Sequence, residues 1–459
     1  MLMIGRPLGA VLVSLQSALI NRVADFSCWR FINFLVMLIA LNLFRNFLQR
    51  RCRLNSFWSL IITLGIFLLP SVQVWILWVS CLSPGALNLA LVGLIYLFME
   101  KESRFAIRLP ATLFLFVCSL WIYPPSALFV FVMPFALLLF SPLEEWPQTR
   151  KIIARDVVVF SSAMVIYWIV DRALIAPWAL AKFGHSFSAP AEYKMALTAN
   201  LLKKIPVLQD FLIVSASGTW HLLMGGWGAL IFLAALLVWL TIRFVFLKFE
   251  RKENGWSFSA SNKLLRYNAQ RIGVSILLFL LVNAPCLLAQ GYLKGVCYRI
   301  LFPACAIFLL LQIWMFWNIE KKYFRNWDAP IVKIAVCIFI YCAAVVAFKN
   351  VVDVTRNLAF EYHFIRAKIL QCDPSNVNRF VIVAAPPLES FIERKLPFEF
   401  NALINSGLYA TPILLQELQH TSITRNLRIA LLLPEQLNSF VLTKNDFLIN
   451  FNEMVINKK

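Results

Sequence analysis

Apolar runs long enough to cross a bilayer recur along most of this chain, and short cationic segments separate them. A run of about 20 apolar residues entering hydrocarbon can satisfy its backbone only as a helix or inside a closed barrel, and unbroken runs of this length select the helix. The open architectures therefore reduce to a bundle of membrane helices, ordered by which loops stay in the cytosol. Only 14% of the residues are charged, against about a quarter in a soluble domain. The net charge of +20 reads accordingly as loop charge that orients the spans, and no nucleic-acid partner is expected.

Orientation rests on Arg45-Asn46-Phe47-Leu48-Gln49-Arg50-Arg51-Cys52-Arg53, which places four arginines just past the first strongly apolar run. Positive charge flanking a span is retained on the cytoplasmic side. The spans read as residues 29–48, 57–79, 82–99, 157–170, 222–246, 272–289, 300–317 and 331–348. Pro70 should kink the second. Two shorter runs, 109–122 and 126–140, flank Tyr123-Pro124-Pro125 and form two thin spans or one re-entrant hairpin. That makes about ten spans. With 45–53 inside, the segments 101–108, 150–155, 248–271 and 321–333 fall inside as well. These five segments hold about twenty Lys and Arg, against about ten in the outer ones. The N-terminus then begins outside, without a cleavable signal in residues 1–20, which creates the expectation of a further helix upstream.

The last 110 or so residues lose membrane character. Residues 351–371 carry apolar side chains at helical spacing. Residues 379–384 and 427–433 read as buried strands, each running into proline, with a short helix over 412–420 between them. The expected fold class is an all-α polytopic membrane bundle with a small C-terminal extracytoplasmic α/β domain. Its parts are residues 1–28 as the remainder of a first outer loop, 29–349 as the transmembrane domain with a long outer loop over 171–217, and 350–459 as the C-terminal domain. None of the ten cysteines forms a CxxC pair with metal-spaced partners, so no metal site and no disulfide framework are expected. No cofactor is expected; a divalent cation is left open, with no ligand cluster for it evident in the sequence.

Polar groups collect in the outer loops. The 171–217 interval carries Asp171, Arg172 and Glu192, and His221 follows at the mouth of the next span. Loops beyond about 12–15 residues without structure are uncommon unless functional, although a solvated linker explains this one equally well. Asp171-Arg172 is a site pair or merely a helix-boundary pair. Arg299, beside Tyr298 and near Lys294, stands at the outer end of a span. A guanidinium there meets a lipid-linked phosphate at headgroup depth, or else anchors the helix at the interface.

Gly5-Arg6-Pro7-Leu8, followed by Ala24-Asp25-Phe26-Ser27-Cys28-Trp29-Arg30-Phe31, resembles the first outer loop of bacterial polytopic glycosyltransferases of the GT-C type. The proteins that glucosylate O-antigen from a lipid-carried sugar are the nearest group. Tyr123-Pro124-Pro125-Ser126-Ala127, Tyr298-Arg299 before a late span, and the outer C-terminal segment fit the same pattern. The resemblance implies transfer of a sugar from a polyprenyl-phosphate donor to a cell-envelope glycan on the periplasmic face of the inner membrane. The partners so implied are membrane lipids, the donor and the glycan acceptor. It also implies a paired-acid base just upstream of the GRPL-like element, where this chain has only Met1 to Ile4. Asp25, Asp171 and Glu192 are the remaining candidates for that base. Arg299, Lys294 and Arg172 are candidates for the donor phosphate, and His221 and Tyr298 for the acceptor. A truncated or inactive relative fits the missing acid pair. The other readings are a lipid or glycan transporter or flippase, and a non-catalytic envelope-assembly protein. The spans contain few charges and no evident inverted repeat, which disfavours transport.

Overall fold

The computed structural model describes residues 7–19, 23–77, 82–100, 105–175, 249–252, 255–258, 262–284, 298–323, 329–372, 379–383, 428–432 and 434–450, with a few isolated positions besides. The chain divides into two compact units, one comprising Met1–Leu15, Phe31–Ile76 and Ser80–Ala347, the other Gln16–Arg30, Leu77–Val79 and Phe348–Lys459.

Among the described residues, the first unit is helical apart from one hairpin. Helix α1 is Pro7–Leu19 and α2 is Val23–Arg50. Beyond α2 the chain reverses at Arg53, whose φ of 54° is left-handed, a conformation that favours glycine. Asn55 then caps α3, Ser56–Phe67, by accepting a hydrogen bond from the Trp58 backbone N–H at 3.0 Å. Helix α3 stops where Pro70 removes a donor, and α4, Pro70–Leu77, begins there. Where a kink was expected at Pro70, the span divides into two helices.

Helix α5 is Leu82–Glu100 and α6 is Phe105–Ile122. The consecutive prolines Pro124 and Pro125 end α6, because neither has an N–H to continue its ladder. The chain returns through α7, Pro124–Ala127, a 3₁₀ turn, Leu128–Phe131, and α8, Val132–Phe140, and every residue on this path is buried. Both short apolar runs are helical, and neither is among the segments long and apolar enough to cross a membrane.

Helix α9, Trp146–Val170, continues as a π turn over Asp171–Ile175. It begins well before the apolar run at Val157, because Trp146, Thr149, Ile153, Asp156 and Phe160 form a buried face through its polar opening. Strands β1, Phe249–Lys252, and β2, Gly255–Phe258, pair antiparallel within the basic segment read as a plain loop. Helix α10 is Asn262–Val282, α11 is Tyr298–Tyr323 and α12 is Ala329–Leu370.

Among the described residues, four helical segments are long and apolar enough to cross a membrane: Cys28–Arg50, Trp146–Ile175, Leu301–Asn318 and Pro330–Val352. Shorter apolar helices cover Ser56–Phe67, Gly85–Met99, Ile107–Ile122 and Pro124–Phe140. Close helix approach is secured by glycine: a Cβ on Gly93 of α5 would lie 2.7 Å from the Leu43 Cβ of α2. Helix α12 is continuous over 42 residues, where a span and a separate helix were expected. At about 1.5 Å per residue it extends about 63 Å, twice the thickness of hydrocarbon.

In the second unit, β3, Arg379–Val383, lies between β4, Arg428–Leu432, and β5, Asp446–Asn450, in a parallel sheet. The continuous apolar run Phe380-Val381-Ile382-Val383 is buried, as a central parallel strand requires. Arg379 and Asp446 stand opposite one another in the register. The guanidinium donates from Nε to Oδ1 at 2.9 Å and from Nη2 to Oδ2 at 2.5 Å, and it stacks 4.8 Å above the Phe440 ring. The short helix expected over 412–420 lies outside the described residues.

Candidate functional site

Four of the five segments assigned to one face by their cations are tied together at one end of the first unit. Arg53 donates to Glu145 Oε1 at 2.5 Å, joining the end of α2 to the start of α9. The Trp146 indole donates to Gln270 Oε1 at 2.9 Å, and Arg150 reaches the same oxygen at 3.3 Å. Glu320, near the end of α11, accepts from the Trp58 indole at 2.6 Å and pairs with Lys333 of α12 at 3.3 Å. Arg271 donates to the carbonyls of Leu138, Leu139 and Ser141 and lies 5.8 Å over the Trp146 ring. These carbonyls end α8, where helix bonding leaves them without donors and the helix dipole favours a cation.

Asp156 is the acid that sequence reasoning missed. Its side chain is 3% exposed and pairs with Arg155 Nη2 at 2.9 Å, with the Arg51 charge also close. It adjoins the apolar run 157–170, so hydropathy alone gives no sign of its burial. Cys52 in the same region is buried, which pushes its thiol well above the ordinary range despite the neighbouring Arg51 charge, so it is not a poised nucleophile.

The opposite helix ends carry the candidates expected for chemistry. Asp171 and Arg172 open the π turn of α9, about 37 Å along the helix from Trp146 at 1.5 Å per residue. Tyr298 and Arg299 begin α11, about 32 Å along it from Glu320 by the same rise. Both pairs therefore occupy the ends that lead away from the charged cluster. Asp25 lies in α2 and belongs to the second unit. Glu192, His221 and Lys294 lie outside the described residues.

One turn beyond Arg299, the Phe302 ring packs 4.8 Å from Trp75 and 5.1 Å from Phe129. The Trp75 indole is tightly walled: a Cβ on Gly85 would meet it at 2.6 Å. Its Nε1 is buried and, among the described residues, meets no hydrogen-bond partner, and the Oε1 of Gln73, on the same short helix, shares that condition. A buried unmatched donor of this kind calls for a water or ligand acceptor. Nearby, Asn88 latches the α6–α7 break. Its amide lies 3.0 Å from Ser119 O, 2.8 Å from Tyr123 O and 2.9 Å from Ser126 Oγ, while Ser119 Oγ donates to its Oδ1 at 3.0 Å. Among the described residues, no three His, Cys, Asp or Glu side chains converge as metal ligands.

Comparison with protein-family models, with curated proteins and with solved structures finds no match to this chain.

Proposed function

We propose that the chain is an integral-membrane protein of glycosyltransferase type, moving a sugar from a polyprenyl-phosphate donor to a cell-envelope glycan. The transfer takes place on the periplasmic side of a bacterial inner membrane. In this reading about ten spans carry the outer loops, and residues 350–459 form an extracytoplasmic α/β domain. The observation that carries the reading is the head of α11. Arg299 starts that helix, where the dipole already favours an anion, and the aromatic cluster beneath it holds the unmatched Trp75 indole N–H.

The chemistry has one leaving group and one proton to place. The acceptor hydroxyl oxygen bonds to the anomeric carbon as the bond from that carbon to phosphate oxygen breaks. Polyprenyl phosphate departs with the electron pair, and a carboxylate takes the hydroxyl proton. Arg299, Lys294 and Arg172 are assigned to the phosphate, whose charge grows as the bond breaks. Asp171, Glu192 and Asp25 are the candidates for the base, and Tyr298 and His221 for holding the acceptor.

The test is retention of a radiolabelled polyprenyl-phosphate hexose by the purified full chain in detergent. Wild type retains the label. Arg299→Gln should lose about tenfold or more in affinity, in line with about 1.5–3 kcal/mol for a charge-assisted hydrogen bond, and Arg299→Lys should lose less. No retention by wild type refutes the reading.

A further inference from the structure

The charged end of the first unit does more than orient the helices: we propose that it is a binding surface for the phosphodiester headgroups of anionic phospholipids, built from Arg53, Arg150 and Lys151. The inference rests on the membrane-spanning reading of the helices and is independent of sugar transfer.

Three observations carry it. First, Arg53 holds a left-handed φ of 54°, which an L side chain adopts at a cost of about 1–2 kcal/mol and glycine adopts without strain. Its side chain is 69% exposed, and its pairing with Glu145 is correspondingly solvent-screened. An exposed pair of this kind contributes about 0–1 kcal/mol, so stability alone does not account for an arginine at a glycine position. Second, the Arg53–Glu145 bond holds that guanidinium against the start of α9. Arg150 and Lys151 follow within the next two turns, both exposed, so cations from two chain segments lie at the same end of α9. Third, Lys151 heads a stripe on α9 that continues through the exposed side chains of Ala154, Val158, Val165 and Ile169. Those positions recur at helical spacing on one face. The stripe is the kind of surface that faces lipid tails. The distance from Lys151 to Val158 is about 10 Å at 1.5 Å per residue, which sets the cations at headgroup depth. Free phosphate in solution would not need that continuity with an apolar wall, and a lipid does.

The experiment uses the full chain in non-ionic detergent micelles doped with phosphatidylglycerol or with phosphatidylcholine, reading lipid adducts by native mass spectrometry and unfolding temperature in parallel. The proposal expects phosphatidylglycerol to be retained and to raise the unfolding temperature in a salt-sensitive manner. Phosphatidylcholine should do neither, and neither should inorganic phosphate at the same concentration. A cation near an anionic surface is worth about a fivefold factor, so the double variant R53G/K151Q should bind phosphatidylglycerol about 30-fold more weakly. R53G relieves the backbone strain, so the variant is expected to fold and to unfold at or above the wild-type temperature in phosphatidylcholine micelles. K349Q, at a cation that belongs to the second unit, serves as the control and should bind as wild type does. Undiminished binding by R53G/K151Q overturns the proposal. So does equal binding of the two lipids, or an equal loss in K349Q.

Discussion

Replacing Asn88 with leucine removes the side chain that holds the α6–α7 break in register, and the cost can be worked from the geometry. Three acceptors lie within 3.0 Å of Nδ2 and one hydroxyl donates to Oδ1, but an amide has only two hydrogens to give. Three full bonds are therefore the most that Asn88 makes. The Ser119 and Tyr123 carbonyls keep other donors, the N–H groups of Tyr123 and Ala127, each at 3.1 Å. The group left without a partner is the Ser119 hydroxyl. Interhelical hydrogen bonds in bilayer proteins average about 0.6 kcal/mol, and buried bonds in soluble proteins reach about 1.5 kcal/mol. Three bonds at these values give about 2–4.5 kcal/mol, and leucine keeps the volume filled so that little cavity cost is added. The assay is reversible unfolding in mixed SDS and non-ionic micelles, followed by tryptophan fluorescence. Ser119→Ala should cost about 0.6–1.5 kcal/mol by the same values. The N88L/S119A double variant should show coupling of about the same size. A loss under about 0.5 kcal/mol for N88L, with no coupling to Ser119, would refute the reasoning, since surface substitutions already vary by that much.

Arg271→Gln should destabilise the first unit by about 2 kcal/mol, because the carbonyls ending α8 lose their cationic donor. Arg271→Lys should restore part of that in the same unfolding assay, and equal losses in both variants would count against dipole capping. In the second unit, hydrogen bonds from Arg379, then the Thr443 backbone N–H, hold the Asp446 carboxyl well below the usual carboxylate range. A depressed folded pKa contributes stability that is present above the unfolded value, near 3.9, and is lost as pH falls through the folded one. Hydrogen-exchange protection of the Phe380–Val383 amides should thus be flat from pH 7 to 5 and decline below about pH 4. Asp446→Asn should remove that decline, and protection in wild type that is unchanged down to pH 3 would contradict the linkage.

Several features were legible in the sequence because they depend on local chemistry. Pro70 divides α3 from α4 and Pro124-Pro125 ends α6 for want of backbone donors, and apolar runs mark β3 and β4. The cationic segments were expected on one face, and four of them meet at one end through Arg53, Arg150, Gln270 and Lys333. What escaped notice depends on partners distant in sequence. Asn88 appears as one polar residue in an apolar run, and only the fold brings Ser119 and Ser126 to it. Asp156 has its ion-pair partner, Arg155, next to it in sequence, and only its burial on the inner face of α9 comes from the fold. The polar opening of α9 is helical because one of its faces is buried, which a hydropathy window averages away. The β1–β2 hairpin is too short to rise above the charge around it, and β5 opens on Asp446 and closes on Asn450, which leaves only three apolar residues to mark it. The continuity of α12 was obscured by Lys349 and Asn350, which interrupt the hydropathy without breaking the helix.

The claim on which the account most depends is that the charged end faces the cytosol and the heads of α11 and the π turn face outward. Its direct measurement is labelling of single cysteines, placed in a cysteine-free background, by a membrane-impermeant maleimide in intact cells and in inverted vesicles. Glu144→Cys is predicted to react only in inverted vesicles, and Arg172→Cys and Lys444→Cys only in intact cells. Labelling of Glu144→Cys and Arg172→Cys from the same side would contradict the account.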